Sequence, residues 1–201
     1  MNRAHQDPDG VKIVTGPGTG FGQGFIVKSK FAPCHEVYPS EGGHVEFAAR
    51  SDEDHEIMKF AYDYIENSNN VENGRAHGKL TRISIERVCA GPAVPMLYEF
   101  FKTKIPESSM SRVLEMGEGS KHPDQITAKD IVDAAMQHKD PLCMRVVQKF
   151  AEILAVEVGN HALKTLPYGG VYLVGGVTMG IRDYIIHDKG FQEVFYAKGR
   201  F

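Results

Sequence analysis

The 201-residue chain is 42% hydrophobic and 24% charged with a net charge of −3, a balance that suits a globular domain able to bury a core. No basic field recommends nucleic acid as a partner, and no apolar run approaches the ~18 residues that span a bilayer. Cys34, Cys89 and Cys143 are far apart and form no Cys-x-x-Cys pair, which argues against a disulfide framework or structural zinc and for reduced thiols in a cytoplasmic compartment.

Residues 1–10 are polar, lack the apolar segment of a signal peptide, and are expected to be disordered. Strand signals follow at Val11–Thr15, Gln23–Val27 and Glu36–Tyr38, and their short connections predict an antiparallel meander. Between the first two, glycine occupies positions 16, 18, 20, 22 and 24. Even spacing excludes both a Walker A loop and a G-x-G-x-x-G turn, and Phe25-Ile26-Val27 continues as strand where those motifs need a helix. Five alternate glycines exceed what a turn requires, so the hairpin reads as one that faces a phosphate. A hairpin using glycine only for positive φ is the plainer alternative.

The third strand runs into the loop Glu41-Gly42-Gly43-His44, and Asp52–Asn67 has helical spacing with Ile57, Phe60, Ala61 and Tyr64 on one face. Asn67–His77 reads as a surface loop. Ser84 is placed to cap a short helix carrying Glu86 and Arg87, Gly91-Pro92 breaks it, and Ala93–Lys104 resumes as a helix. Pro106–Gln125 reads as an insertion. Thr127–Asp130 is a near capping box for a helix to about Gln137. Asp140-Pro141 starts the longest helix, to about Leu166, with a buried stripe of Cys143, Val146, Val147, Phe150, Ile153 and Leu154. Val171–Val174, between two glycine pairs, reads as a buried parallel strand, and two short helices close the chain. One α/β unit with a mixed sheet accounts for this order.

Three polar clusters could carry chemistry. Glu41 and His44 lie three residues apart across a glycine pair, so a carboxylate and an imidazole can meet one small polyol; a solvated turn is the alternative. Ser84-Ile85-Glu86-Arg87 reads by itself as a helix start with Glu86 complementing the dipole. Gly175-Gly176 after a strand can admit a nucleotide against bare backbone, or serve close helix–strand packing. The spacing of Cys34, His35 and His44 matches no common metal site, and the remaining histidines read as surface or satisfied core positions.

Taken together, Gly18-Thr19-Gly20-Phe21-Gly22, Glu41–Phe47, Ser84–Pro92, Gly169–Gly176 and Asp188–Phe201 resemble the bacterial-type (group A) glucokinases. The Asn67–His77 and Pro106–Gln125 segments resemble insertions of protozoan members. The resemblance implies a mixed sheet of the ribonuclease H-like, actin–hexokinase type, with residues 1–201 forming the larger, C-terminal lobe of a two-lobe kinase. It implies that Glu41, His44 and Glu86 hold glucose hydroxyls, that Gly18, Thr19 and Gly20 meet the β- and γ-phosphates of ATP with its Mg²⁺, and that Gly175 and Gly176 lie beside the adenosine. Related ROK kinases place a zinc ligand at the position of His44, but the Cys-rich segment that accompanies it is absent, so no zinc is implied.

The family's Asp-x-Gly-Gly-Thr phosphate loop and the Asn-Asp pair holding its catalytic base do not occur in these 201 residues. No catalytic residue can therefore be matched, and Glu46 is the nearest substitute base. The expected function is the glucose- and ATP-binding lobe of a glucokinase, inactive alone, covered by a second copy or by a separate N-terminal lobe. A non-catalytic sugar-binding or regulatory half of the same fold is the alternative, and a packing or dimerisation module is a third. No peroxisomal tripeptide closes the chain, in keeping with a cytoplasmic location.

Overall fold

A computed structural model describes residues 6–67, 82–106, 111, 114 and 125–199. Four strands form one mixed sheet: β1 (Lys12–Pro17), β2 (Phe21–Lys28), β3 (His35–Ser40) and β4 (Gly170–Leu173), in the order β3-β2-β1-β4. β1 and β2 pair antiparallel with Gly16 opposite Gly22, β2 and β3 pair antiparallel, and β4 joins β1 in parallel. The helices are α1 (Asp52–Asn67), α2 (Ala93–Lys102), α3 (Ala128–His138), α4 (Pro141–Thr165), α5 (Gly176–Gly180), α6 (Arg182–His187) and α7 (Lys189–Tyr196).

The 25-residue α4, about 37 Å long, packs against α2, α3, α7 and β1. Asp140 caps its start by accepting from the Cys143 N–H at 3.0 Å, with Pro141 in the first turn. Its predicted stripe is buried in full and meets Ile57 of α1, Leu97 of α2 and Ile131 of α3 in a single core. The Thr127–Asp130 capping box is formed in both directions.

Several expectations need correction. Gln6–Gly10 is tied down, the Asp7 N–H donating to the Tyr168 carbonyl at 3.0 Å and Gln6 Nε2 to the Gly169 carbonyl at 2.7 Å. All three meander strands extend beyond their predicted ends, because cross-strand pairing carries Gly16, Pro17, Phe21 and Gly22 into the ladder. Ser84 precedes a 3₁₀ turn, Ile85–Arg87, but its hydroxyl makes no cap. β4 is parallel as expected but forms a sheet edge, with Tyr172 43% exposed. Three short helices, not two, follow it. The expected loop and insertion at 67–77 and 106–125 fall almost wholly outside the described residues.

Lys149 escaped the sequence reading, whereas His161 is the satisfied core histidine that was one of its two expectations. Lys149, 5% exposed on α4, holds Glu53 at 2.7 Å, Asp54 at 3.1 Å and Glu152 at 2.9 Å. Burial would lower its pKa, but the surrounding carboxylates outweigh this and raise it. A cleft of about 600 Å³ beside this group is lined by Arg50, Arg145 and Lys149 and by Glu53, Asp54 and Glu152, three cations facing three carboxylates.

His161 on α4 lies beneath the sheet, its Nδ1 3.1 Å from the Thr15 hydroxyl. Burial, then the charge of Lys164, lowers its pKa below 6.5. The unfolded chain therefore binds this proton more readily than the folded one. The stability contributed is fully present above about pH 6.5 and is lost as pH falls towards the folded-state value. Thermal melting of the wild type is expected to fall between pH 7.5 and 5.5 by more than that of His161→Leu; equal shifts would remove His161 from the account.

Among the described residues no helix is long and apolar enough to cross a membrane. None of the three cysteines forms a disulfide; Cys34 is exposed and the other two are buried.

Candidate functional site

β1 and β4 run parallel, and the β1–β2 turn, the end of β3 and the start of α5 therefore share one end of the sheet. Ligands of open α/β sheets collect at the carboxyl ends of such strands. At the tip of the hairpin the Gly18 N–H donates to the Gly20 carbonyl at 2.8 Å, closing a tight turn over Thr19, which is exposed. The predicted run of five glycines is thus divided. Gly18 and Gly20 form the turn, while Gly16, Gly22 and Gly24 belong to the strands.

Directly after β3, Glu41 leads into the 3₁₀ turn Gly42–His44. Segment 45–47 then zips against 83–85: the Ile85 N–H donates to the Val45 carbonyl at 2.8 Å, and the Phe47 N–H to the Ile83 carbonyl at 2.9 Å. This pairing carries Glu86 to His44 across a gap of about forty residues, although local sequence reads Glu86 only as a helix start. His44 Nδ1 lies 3.2 Å from Glu86 Oε1, and His44 Nε2 lies 3.6 Å from Glu41 Oε2. Arg82 Nη1 donates to the His44 carbonyl at 2.6 Å and anchors the loop from outside. Two carboxylates flanking an imidazole offer converging acceptors plus a group that can donate or accept, the inventory a vicinal diol requires.

The glycine turn adjoins this cluster. The Gly91 N–H donates to the Gly18 carbonyl at 2.7 Å, tying the turn to the segment after Glu86. A side chain at Gly20 would begin 3.2 Å from Glu86 Oε2. Gly175 supports the turn from the other side. Its φ of +98° excludes ordinary side chains, and a Cβ there would strike the Pro17 carbonyl. By contrast, Gly18 and Gly176 face open space, with no atom within 4 Å of a built Cβ.

Glu41, His44 and Glu86 therefore meet in one cluster, Gly18–Gly20 borders it, and Gly175 and Gly176 lie on the far side of Pro17. Glu46 is set apart: its backbone bridges Ser84, and its side chain is exposed. The sequence reading missed Arg82, which carries no local signal and is placed only by the 45–47/83–85 pairing.

A family model described as Glucokinase matches residues 1–201. The glucokinase of Nostoc punctiforme is 34% identical over 193 residues, which cover 93% of this chain and 52% of that protein. A glucokinase structure from an Antarctic psychrotroph superposes with a TM-score of 0.69 at 25% identity, over 96% of this chain and 50% of that one. A ROK family glucokinase from Streptomyces griseus, in complex with glucose and AMPPNP, shares the fold with a TM-score of 0.59 at 21% identity, over 98% and 53% of the two chains. The chain spans about half the length of the curated relatives it matches.

Proposed function

The chain belongs to the glucokinase family, and from that premise we propose that it supplies the glucose- and ATP-binding lobe for phosphorylation of glucose to glucose 6-phosphate. The observation that carries this reading is the convergence of Glu41, His44 and Glu86 beside the Gly18–Gly20 turn. Glu41 and Glu86 accept from sugar hydroxyls, and His44, between them, donates or accepts according to the hydroxyl it meets. Charge-assisted bonds of this kind contribute about 1.5–3 kcal/mol each.

The open space over Gly18 and Gly176 fits a nucleotide whose phosphates approach bare backbone. ATP supplies the transferable phosphoryl group. The residues of this chain orient it: Gly18 offers exposed backbone without a side chain, and Thr19 adds a hydroxyl at the tip. Mg²⁺ is assigned to the nucleotide's phosphates, as is general in phosphoryl transfer. Among the described residues no group of three His, Cys, Asp or Glu side chains is arranged to hold a metal ion, and no step here depends on one. The glucose and AMPPNP bound by the Streptomyces griseus protein support both ligand classes.

Residues 1–201 act in this reading as a single lobe. The opposite wall of the cleft comes from a separate N-terminal lobe or a second copy, and three cysteines outside any disulfide suit a cytoplasmic setting. The absence of an Asn-Asp pair from these 201 residues favours, as second reading, a sugar-binding or regulatory half that performs no transfer.

Titration calorimetry with glucose tests the site. Half a clamp is expected to bind at around millimolar, and Glu86→Ala is expected to weaken binding by about tenfold or more. Equal heats for wild type and variant would reject the role of Glu86. For the nucleotide, Gly18→Val should reduce AMPPNP affinity while largely leaving the melting temperature in place, because a Cβ at this position meets no atom within 4 Å. Parallel losses of both would mark the turn as a packing device.

A further inference from the structure

Glu157 is a carboxylate, 5% exposed on α4, that the site described above does not use. Its Oε1 accepts from Nε2 of Gln23 at 2.8 Å, a bond between residues 134 apart in the chain. Gln23 stands on β2 opposite Ser40, the last residue of β3. The Ser40 hydroxyl donates to the Gln23 carbonyl at 3.2 Å and accepts from the Gly42 N–H at 3.3 Å. The Gln23 side-chain amide lies hard against Gly42, where even a Cβ would overlap it. Glu157 therefore supports Gln23, and Gln23 is the surface on which the Glu41–His44 loop rests.

We infer that Glu157 is a positioning residue for sugar recognition: by fixing the Gln23 amide it sets the height of the Glu41–His44 loop, and with it the approach of His44 to Glu86. A buried carboxylate is costly unless paired, and this one faces the amide on which Gly42 closes. If Glu157 could not accept a hydrogen bond, Gln23 Nε2 would seek another acceptor and its side chain would turn. Gly42 has no room to follow without tilting the 3₁₀ turn that carries His44. The 3.2 Å spacing from His44 to Glu86 depends on that tilt.

This inference rests on the glucose-binding reading for its consequence but not for its geometry, so the test reads both. Glu157→Leu keeps the bulk and removes the acceptor, whereas Glu157→Gln keeps an acceptor oxygen. Four quantities are measured on the full chain: glucose affinity, AMPPNP affinity, melting temperature and the His44 ring resonance, assigned by its loss in His44→Asn.

Glu157→Leu is expected to displace the His44 resonance and weaken glucose binding by about tenfold, with AMPPNP affinity within about twofold. Glu157→Gln is expected to restore the resonance and the glucose affinity. Should Glu157→Leu fail to fold, Gln23→Met breaks the same bond from β2 and is expected to give the same pattern. An unmoved His44 resonance and unchanged glucose affinity in a folded variant, whatever its melting temperature, would overturn the inference. If the wild type binds no glucose, the functional reading fails, while the His44 resonance still decides whether Glu157 sets the loop.

Discussion

In a coupled assay for glucose 6-phosphate, the 201-residue chain alone is expected to turn over at least about 10²-fold more slowly than the same chain supplemented with an N-terminal lobe from a full-length relative. A general base commonly contributes about 10²–10⁴-fold, and the chain offers no match to the family's Asn-Asp base. Glu41 and Glu86 are engaged with His44, which leaves Glu46, exposed and bridged through its backbone to Ser84. Closure of two lobes also expels water from the transfer and completes the constellation around the phosphoryl group. A single lobe gains neither. Rapid turnover by the chain alone, abolished in Glu46→Gln, would overturn this expectation and identify Glu46 as the base.

Replacement of Lys149 by Ala is expected to cost about 3 kcal/mol in urea denaturation, a large part of the roughly 5–15 kcal/mol that holds a domain folded. The substitution leaves Asp54 and Glu152 without the cation they share and Glu53 with Arg145 alone. The lower end of the range for broken buried pairs applies, because the Glu53 and Glu152 side chains are about a third exposed and water screens part of the repulsion. For Glu53 and Asp54, burial would raise the pKa, but their bonds to Lys149 and other neighbours prevail and hold both below 4.5 and 3.8. Their contribution is therefore fully present above those values and is lost as pH falls below them. Lys149→Met combined with Glu53→Gln and Asp54→Asn should recover much of the loss. A cost below about 1 kcal/mol for Lys149→Ala would show that the cluster is solvated in solution.

What was legible in the sequence was what is decided locally. The cap at Asp140, the box at Thr127–Asp130 and the stripe on α4 depend on residues three or four apart, and each forms as read. The family pattern brought Glu86 to His44, a pairing the helix-start reading of Ser84–Arg87 does not suggest. Contacts made across the fold left no trace. Lys149 and Asp54 are 95 residues apart, Gln23 and Glu157 134, and neither partner is unusual in its own surroundings. An apolar run between glycine pairs looks the same whether one face or both are covered, so β4 was read as interior when it is an edge. Strand ends were cut short because glycine lowers local preference, whereas the ladder between Gly16 and Gly22 restores it.

Every residue of β3 is exposed, and among the described residues its backbone pairs with β2 alone. Local openings draw on the least supported elements, so β3 is expected to open more readily than the buried α4. Glu41 follows its last residue without a linker. Part of the proposed sugar clamp is therefore joined to this exposed strand and part to the core. A bound sugar must quiet that strand, and this ordering adds an entropic penalty to binding. On the proposed function, warming is expected to erode sugar affinity below the temperature at which the domain unfolds, giving the site a narrower working range than the fold.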